Sequence, residues 1–182
     1  LNAKKLNPFL GSKSRAERRD TLDLWGKVIV ACLPAAVIGL AFNKYMEEHF
    51  MNAPVVASML ILYGILFIVV ERWNKRRTPR VDSLAALDYR TAFIIGVFQV
   101  LSLVPGTSRS GATILGGIIF GTSRYVATEF TFFLAIPVMF GASFLKLVKF
   151  GWHYTGAELL ILAVGMVTAF VVSILSIQFL LR

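Results

Sequence analysis

The run Val104-Pro105-Gly106-Thr107-Ser108-Arg109-Ser110-Gly111-Ala112-Thr113 sets the hardest condition on the fold. It places an arginine, several hydroxyl side chains and a Pro-Gly break inside a long apolar stretch. Charge and unpaired backbone are both expensive in hydrocarbon. A bare arginine at the bilayer centre costs about 2.5–3.5 kcal/mol even on the lenient insertion scale. Irregular backbone persists at that depth only against protein or a water-filled cavity. The run is therefore expected to line a polar pocket. An arginine among hydroxyls and helix-start amides suits an anion, phosphate being the simplest.

The rest of the chain agrees with a membrane setting. Hydrophobic residues make up 57% of it and the mean hydropathy is +0.71, which excludes an ordinary soluble domain. Apolar runs of bilayer-crossing length recur, with Gly and Pro inside them, as membrane helices tolerate. The net charge is +9, carried mostly by the connecting segments. That pattern reads as membrane orientation and not as nucleic-acid binding. The single cysteine, Cys32, gives no disulfide framework and reads as a small buried apolar residue.

Residues 1–23 are polar and basic, lack the apolar core of a signal peptide, and read as a loop following an earlier segment of a longer protein. Spans are expected at about 24–42, with Pro34 inside, and at 53–70, with Pro54 in the first turn. Between them, Asn43 to Asn52 reads as a polar turn holding Glu47, Glu48 and His49. The densest basic cluster follows: Arg72, Lys75, Arg76, Arg77 and Arg80. The two basic segments fall on one side, which the positive-inside rule makes cytoplasmic, and the acidic turn then faces outward. Further spans are expected at about 130–148, with Pro137 inside, and 157–181, closed by Arg182.

Between the basic cluster and the last two spans lie two short apolar pieces, 91–104 and 112–120. At helical rise the first is only about 21 Å long, against a hydrocarbon core of about 30 Å. Two half-length helices around a polar break predict a re-entrant hairpin over about 91–121, or one discontinuous span. Its direction is open. The fold class is thus an all-α, polytopic helical bundle forming a single membrane domain over 1–182.

The break has a local logic. Pro105 ends one helix, and Gly106 can take a positive φ and turn the chain. Thr107, Ser108 or Ser110 can cap the next helix, whose first amides then point into the turn beside Arg109. Gly111 would let a bulky anion approach. Each phosphate oxygen bonded to a charged donor gains about 1.5–3 kcal/mol. The same residues also suit a structural cap whose arginine pairs with a carboxylate from another helix; the residues favour anion binding.

The run Pro105 to Thr113 resembles the arginine-bearing motif of the undecaprenyl pyrophosphate phosphatase (bacitracin-resistance) family. The later Glu129-Phe130-Thr131-Phe132-Phe133-Leu134-Ala135-Ile136-Pro137 resembles a second signature of that family. The match covers essentially all of the chain and corresponds to the later two thirds of such a protein. The resemblance implies a bacterial inner-membrane, multi-pass enzyme with inverted repeats and two re-entrant hairpins. It removes the terminal phosphate of C55 isoprenyl diphosphate, recycling the lipid carrier of cell-wall synthesis, and its site faces the outer side. The implied catalytic residues are Arg109, Ser110 and Ser108, with Gly106, Thr107, Gly111 and Thr113 binding phosphate. A divalent metal, Mg²⁺ or Ca²⁺, is also implied. The family's glutamate-rich motif has no counterpart in these residues, so metal ligands are expected upstream. An isoprenyl-phosphate transporter using the same broken helix is the alternative. The partners are the isoprenyl diphosphate and membrane lipids; the oligomeric state is left open, a homodimer included.

Other polar residues carry blander expectations. Glu129 is expected to pair with Arg109 or Arg124 or to mark a boundary, with direct binding of ligand as the alternative. Gln99 is expected to hydrogen-bond within the bundle. His49 and His153 read as solvated turn residues. Trp25, Trp73 and Trp152 sit near span ends, where interfacial anchoring accounts for them.

Overall fold

A computed structural model describes residues 15–75, 77–150 and 155–180 of the chain. The elements run α1 (Arg15–Phe50), α2 (Ala53–Asn74), α3 (Tyr89–Val100), a 3-10 turn (Leu101–Leu103), α4 (Arg109–Ile119), α5 (Arg124–Phe150) and α6 (Gly156–Leu180). No strand is present among the described residues, only an isolated bridge between Val81 and Thr122. Within α1, α2, α5 and α6 lie the stretches Arg18–Phe42, Ala53–Asn74, Arg124–Val148 and Gly156–Phe179, each long and apolar enough to cross a bilayer. The chain is thus an all-α polytopic membrane protein. His153, Trp152 and Arg182 fall outside the described residues.

Two expectations fail at the ends of α1. Residues Arg15 to Asp23 are helical rather than loop, and the supposed turn from Asn43 onward is helical as far as Phe50. Polarity was the misleading signal. Lys44 and Glu48 pair at 3.8 Å one helical turn apart, and His49 stacks on Tyr45 with ring centroids 4.2 Å apart. Such i,i+4 pairs support a helix beyond its apolar part. The real boundary is Asn52, whose side chain accepts a hydrogen bond from the Val55 amide at 3.0 Å and caps α2. Pro54 follows in the first turn of α2.

Residues 15–140 contain the helix packing that matters for function. One apolar cluster joins Leu24, Val28 and Ala31 of α1 to Ala92 and Ile95 of α3 and to Val126, Phe130, Phe133 and Leu134 of α5. A second joins Tyr63 and Val70 of α2 to Ala112, Leu115 and Ile118 of α4 and to Ala127 of α5. The short pair α3–α4 is therefore packed against α1, α2 and α5. Helices α1 and α3 touch backbone to backbone: a Cβ at Gly96 would fall onto the Ala31 carbonyl.

The direction of the hairpin, open in the sequence, is set by hydrogen bonds. At the start of α3, Tyr89 donates its hydroxyl to Asp23 of α1 at 2.8 Å. At the end of α4, the Gly121 carbonyl accepts from the amides of Arg80 (2.8 Å) and Val81 (3.1 Å), and Ser123 N donates to the Val81 carbonyl at 2.9 Å. Residues 80–88 lead directly into α3. The hairpin thus returns to the end from which it set out, and Arg124 there pairs with Glu71 at the end of α2. This is the basic end of the molecule.

From Gly141 onward a second unit comprises the end of α5 and α6. The described residues of α6 whose side chains are placed are all exposed. A helix apolar on every side is suited to lipid or to other helices, not to water.

Candidate anion site at the broken helix

Three local choices build the break. Val104 is extended (φ −75°, ψ 124°) ahead of Pro105, which stops α3 and its terminal turn. Gly106 has φ +91°, a conformation glycine adopts without steric cost. The same glycine lies under α2: a Cβ there would sit 2.7 Å from the Val56 carbonyl oxygen. Ser108, extended at φ −72° and ψ 122°, then caps α4. Its Oγ accepts from the Gly111 amide at 3.1 Å, and its carbonyl accepts from Ala112 N at 2.8 Å.

The break lies alongside α2 rather than beyond its ends. Gly106 meets Val56, near the start of α2, and Gly111 meets Phe67, two thirds of the way along it. Arg109 lies between these levels, within electrostatic reach of Cys32 on α1. Its side chain is half-buried, while Ser108 and Ser110 are exposed. Arg109 forms no ion pair with a carboxylate among the described residues; the pairs there are Lys27–Asp23, Lys44–Glu48 and Arg124–Glu71. Arg124, one of the partners expected for Glu129, pairs with Glu71 across the basic end.

The amides of Ser108, Arg109 and Ser110 have no protein acceptor among the described residues. Ser108 Oγ and Ser110 Oγ stand 3.3 Å apart. A guanidinium, a helix N-terminus and two exposed hydroxyls thus meet at one place, with no ion pair to the guanidinium among the described residues. Such an arrangement can hold a phosphate group, through charge-assisted bonds from the arginine and bonds from the amides.

The other expected phosphate ligands sort differently. Gly106 shapes the turn, and Thr107 turns its buried hydroxyl toward Tyr63 of α2. Gly111 is buried; its amide serves the Ser108 cap and its open side is filled by Phe67 at 3.1 Å from a notional Cβ. It is a helix-packing glycine, not an open approach for an anion. Thr113 is also buried and bonds within the protein, donating to the carbonyls of Arg109 and Ser110, each at 3.1 Å. Helical periodicity carries both residues inward from the exposed first turn. Gln99 is buried, as a residue serving the bundle should be.

Tyr63 and Phe67 carry no expectation from the sequence, and Cys32 only that of a small buried apolar residue; the structure sets Tyr63 and Phe67 against the break and leaves Cys32 half-buried near it. They lie far from it along the chain and have no motif of their own. Among the described residues no three His, Cys, Asp or Glu side chains cluster as metal ligands.

Residues 3–182 match the family model described as bacitracin resistance protein BacA. The chain is 56% identical to an undecaprenyl-diphosphatase of Desulfitobacterium hafniense, over 98% of this chain and 64% of that protein. It is 58% identical to the undecaprenyl-diphosphatase of Enterococcus faecalis, over 98% of this chain and 66% of that protein. For the Limosilactobacillus fermentum undecaprenyl-diphosphatase the identity is 59%, over 98% and 66% respectively. The chain thus spans about two thirds of the length of the curated relatives it matches. An arginine-bearing helix break set among apolar helices, together with a match along nearly its whole length, places the chain in the bacitracin resistance protein BacA family.

Proposed function

We propose that this chain supplies the arginine-serine half of a membrane phosphatase that converts undecaprenyl diphosphate to the monophosphate. The reaction recycles the lipid carrier of cell-wall synthesis in the bacterial inner membrane and underlies bacitracin resistance. The observation that carries the reading is Arg109: half-buried, free of any carboxylate partner among the described residues, at the capped start of α4. Burying a cation without a partner is unfavourable. A ligand that brings negative charge repays that cost when it binds.

The roles follow from the geometry. Arg109 and the amides of the first turn take the charge that develops on the phosphoryl oxygens. Phosphoryl transfer depends mainly on such positioning and electrostatic stabilisation. Ser108 fixes the helix start, and Ser110 offers an exposed hydroxyl to the same oxygens. The break lies beside α2 between Val56 and Phe67, and Gly106 meets α2 near the end remote from the basic cluster. With the basic end cytoplasmic, the site opens toward the outer side of the membrane. A lipid diphosphate there would keep its chain among the apolar helices and present its headgroup to the break.

The experiment uses the full-length protein in detergent, supplied with farnesyl or undecaprenyl diphosphate and, in separate runs, Mg²⁺ or Ca²⁺. The expected result is release of inorganic phosphate and accumulation of the lipid monophosphate. Vectorial movement of the lipid with no phosphate released would contradict the reading and favour transport.

A further inference from the structure

A buried pair of threonine hydroxyls ties α5 to the active turn of α4. Thr131 Oγ1 lies 3.0 Å from Thr113 Oγ1, and the contact is buried. Thr113 is 1% exposed and Thr131 6%. Thr113 has one hydroxyl proton, and the carbonyls of Arg109 and Ser110 both lie 3.1 Å from its oxygen. Its proton therefore goes to the carbonyls, and its oxygen accepts the proton of Thr131. A helical threonine ordinarily bonds back to its own helix. Thr131 instead reaches across to α4.

The chain of bonds ends at a telling place. The Arg109 carbonyl belongs to the same peptide unit as the Ser110 N–H. That amide is one of those without a protein acceptor at the break. A bond to the carbonyl oxygen polarises its peptide and makes the N–H a better donor, and linked hydrogen bonds strengthen one another in a low-dielectric surrounding. It also fixes the orientation of the first turn, from which Arg109 projects. Valine would fill the place of Thr131 without a hydroxyl to desolvate, so packing alone gives no reason for threonine there.

We infer that Thr131 is a positioning residue for the phosphoryl site, acting through Thr113 on the Arg109–Ser110 peptide. The inference rests on the reading that this turn meets the diphosphate.

The test measures kcat and KM for farnesyl diphosphate with the full-length protein and its Thr131→Val, Thr131→Ser, Thr113→Val and doubly substituted Val forms. Thr131→Val is expected to lower kcat by about 10-fold, as loss of alignment does, with KM changed by less than about twofold. Thr131→Ser keeps the hydroxyl and should stay within about twofold of the parent. The double variant should be no slower than Thr113→Val alone, because both substitutions cut one chain of bonds. Parental kcat in Thr131→Val, an equal loss in Thr131→Ser, or losses that multiply in the double variant would each overturn the inference. Should Thr131→Val not yield homogeneous protein, Thr131→Ala is read by the same criteria. Arg109→Ala in the same assay separates the levels. If it remains active, the phosphatase site itself is misplaced; if it is dead while Thr131→Val is normal, only the relay is wrong.

Discussion

Arg109→Ala is expected to abolish phosphate release, lowering kcat by about 10³-fold or more. Removing one donor aimed at developing charge costs about 10²–10³-fold, and arginines that stabilise a transferring phosphoryl group are worth about 10³–10⁵-fold. The upper part of that range applies here because Arg109 pairs with no carboxylate among the described residues. Folding should be little harmed, since alanine starts a helix as well as arginine does and no ion pair is broken. Arg109→Lys should recover less than about a tenth of the lost rate, because an ammonium cannot reproduce the planar, two-pronged donor set. Steady-state kinetics on homogeneous full-length protein check both variants. Parental kcat in the alanine form would remove Arg109 from the mechanism.

Gly106→Ala should damage folding more than any other single methyl added to the break. Two costs act together. At φ +91° an L side chain is strained, at about 1–3 kcal/mol. The new Cβ would also lie 2.7 Å from the Val56 carbonyl oxygen and 2.8 Å from Val56 Cα. Relieving that contact means moving α2 or the turn, and overpacking of this kind costs about 1–3 kcal/mol. The sum is a large part of the 5–15 kcal/mol that typically separates folded from unfolded protein. The expected outcome is a marked fall in the detergent melting temperature and in activity. Gly64→Ala is the control: no atom lies within 4 Å of its notional Cβ, so it should melt with the parent. Equal melting of the Gly106→Ala form and the parent would show that the turn is not pinned beneath α2.

The sequence made the break legible because hydrocarbon is so intolerant of what it contains. A Pro-Gly pair, an arginine and clustered hydroxyls within apolar residues leave few structures open. The positive φ of Gly106, the Ser108 cap and the two half-length helices followed from that local chemistry. The ends of α1 did not, because polarity was read as loop where Lys44–Glu48 and Tyr45–His49 in fact sustain a helix. The hairpin's return was hidden for another reason. It depends on the Gly121 carbonyl meeting the amides of Arg80 and Val81, and no periodicity encodes such a meeting. Gly111 and Thr113 turn inward although they stand in the motif, because residues adjacent in sequence point to different sides of a helix. Thr131 stands within the second signature, yet its bond to Thr113 exists only once α4 and α5 are packed.

The most direct test of the whole account is protection of the break by ligand. Ser110 is exposed at the first turn of α4, and Cys32 is the one cysteine of these 182 residues. In a full-length Cys32→Ser, Ser110→Cys form, with every cysteine outside these residues also replaced by serine, the labelling rate with a membrane-impermeant thiol reagent would be measured in detergent, with and without farnesyl diphosphate. Farnesol serves as the uncharged comparison. The account predicts that the diphosphate slows labelling in a saturable way and that farnesol does not. Labelling unaffected by the diphosphate, or slowed equally by farnesol, would contradict it.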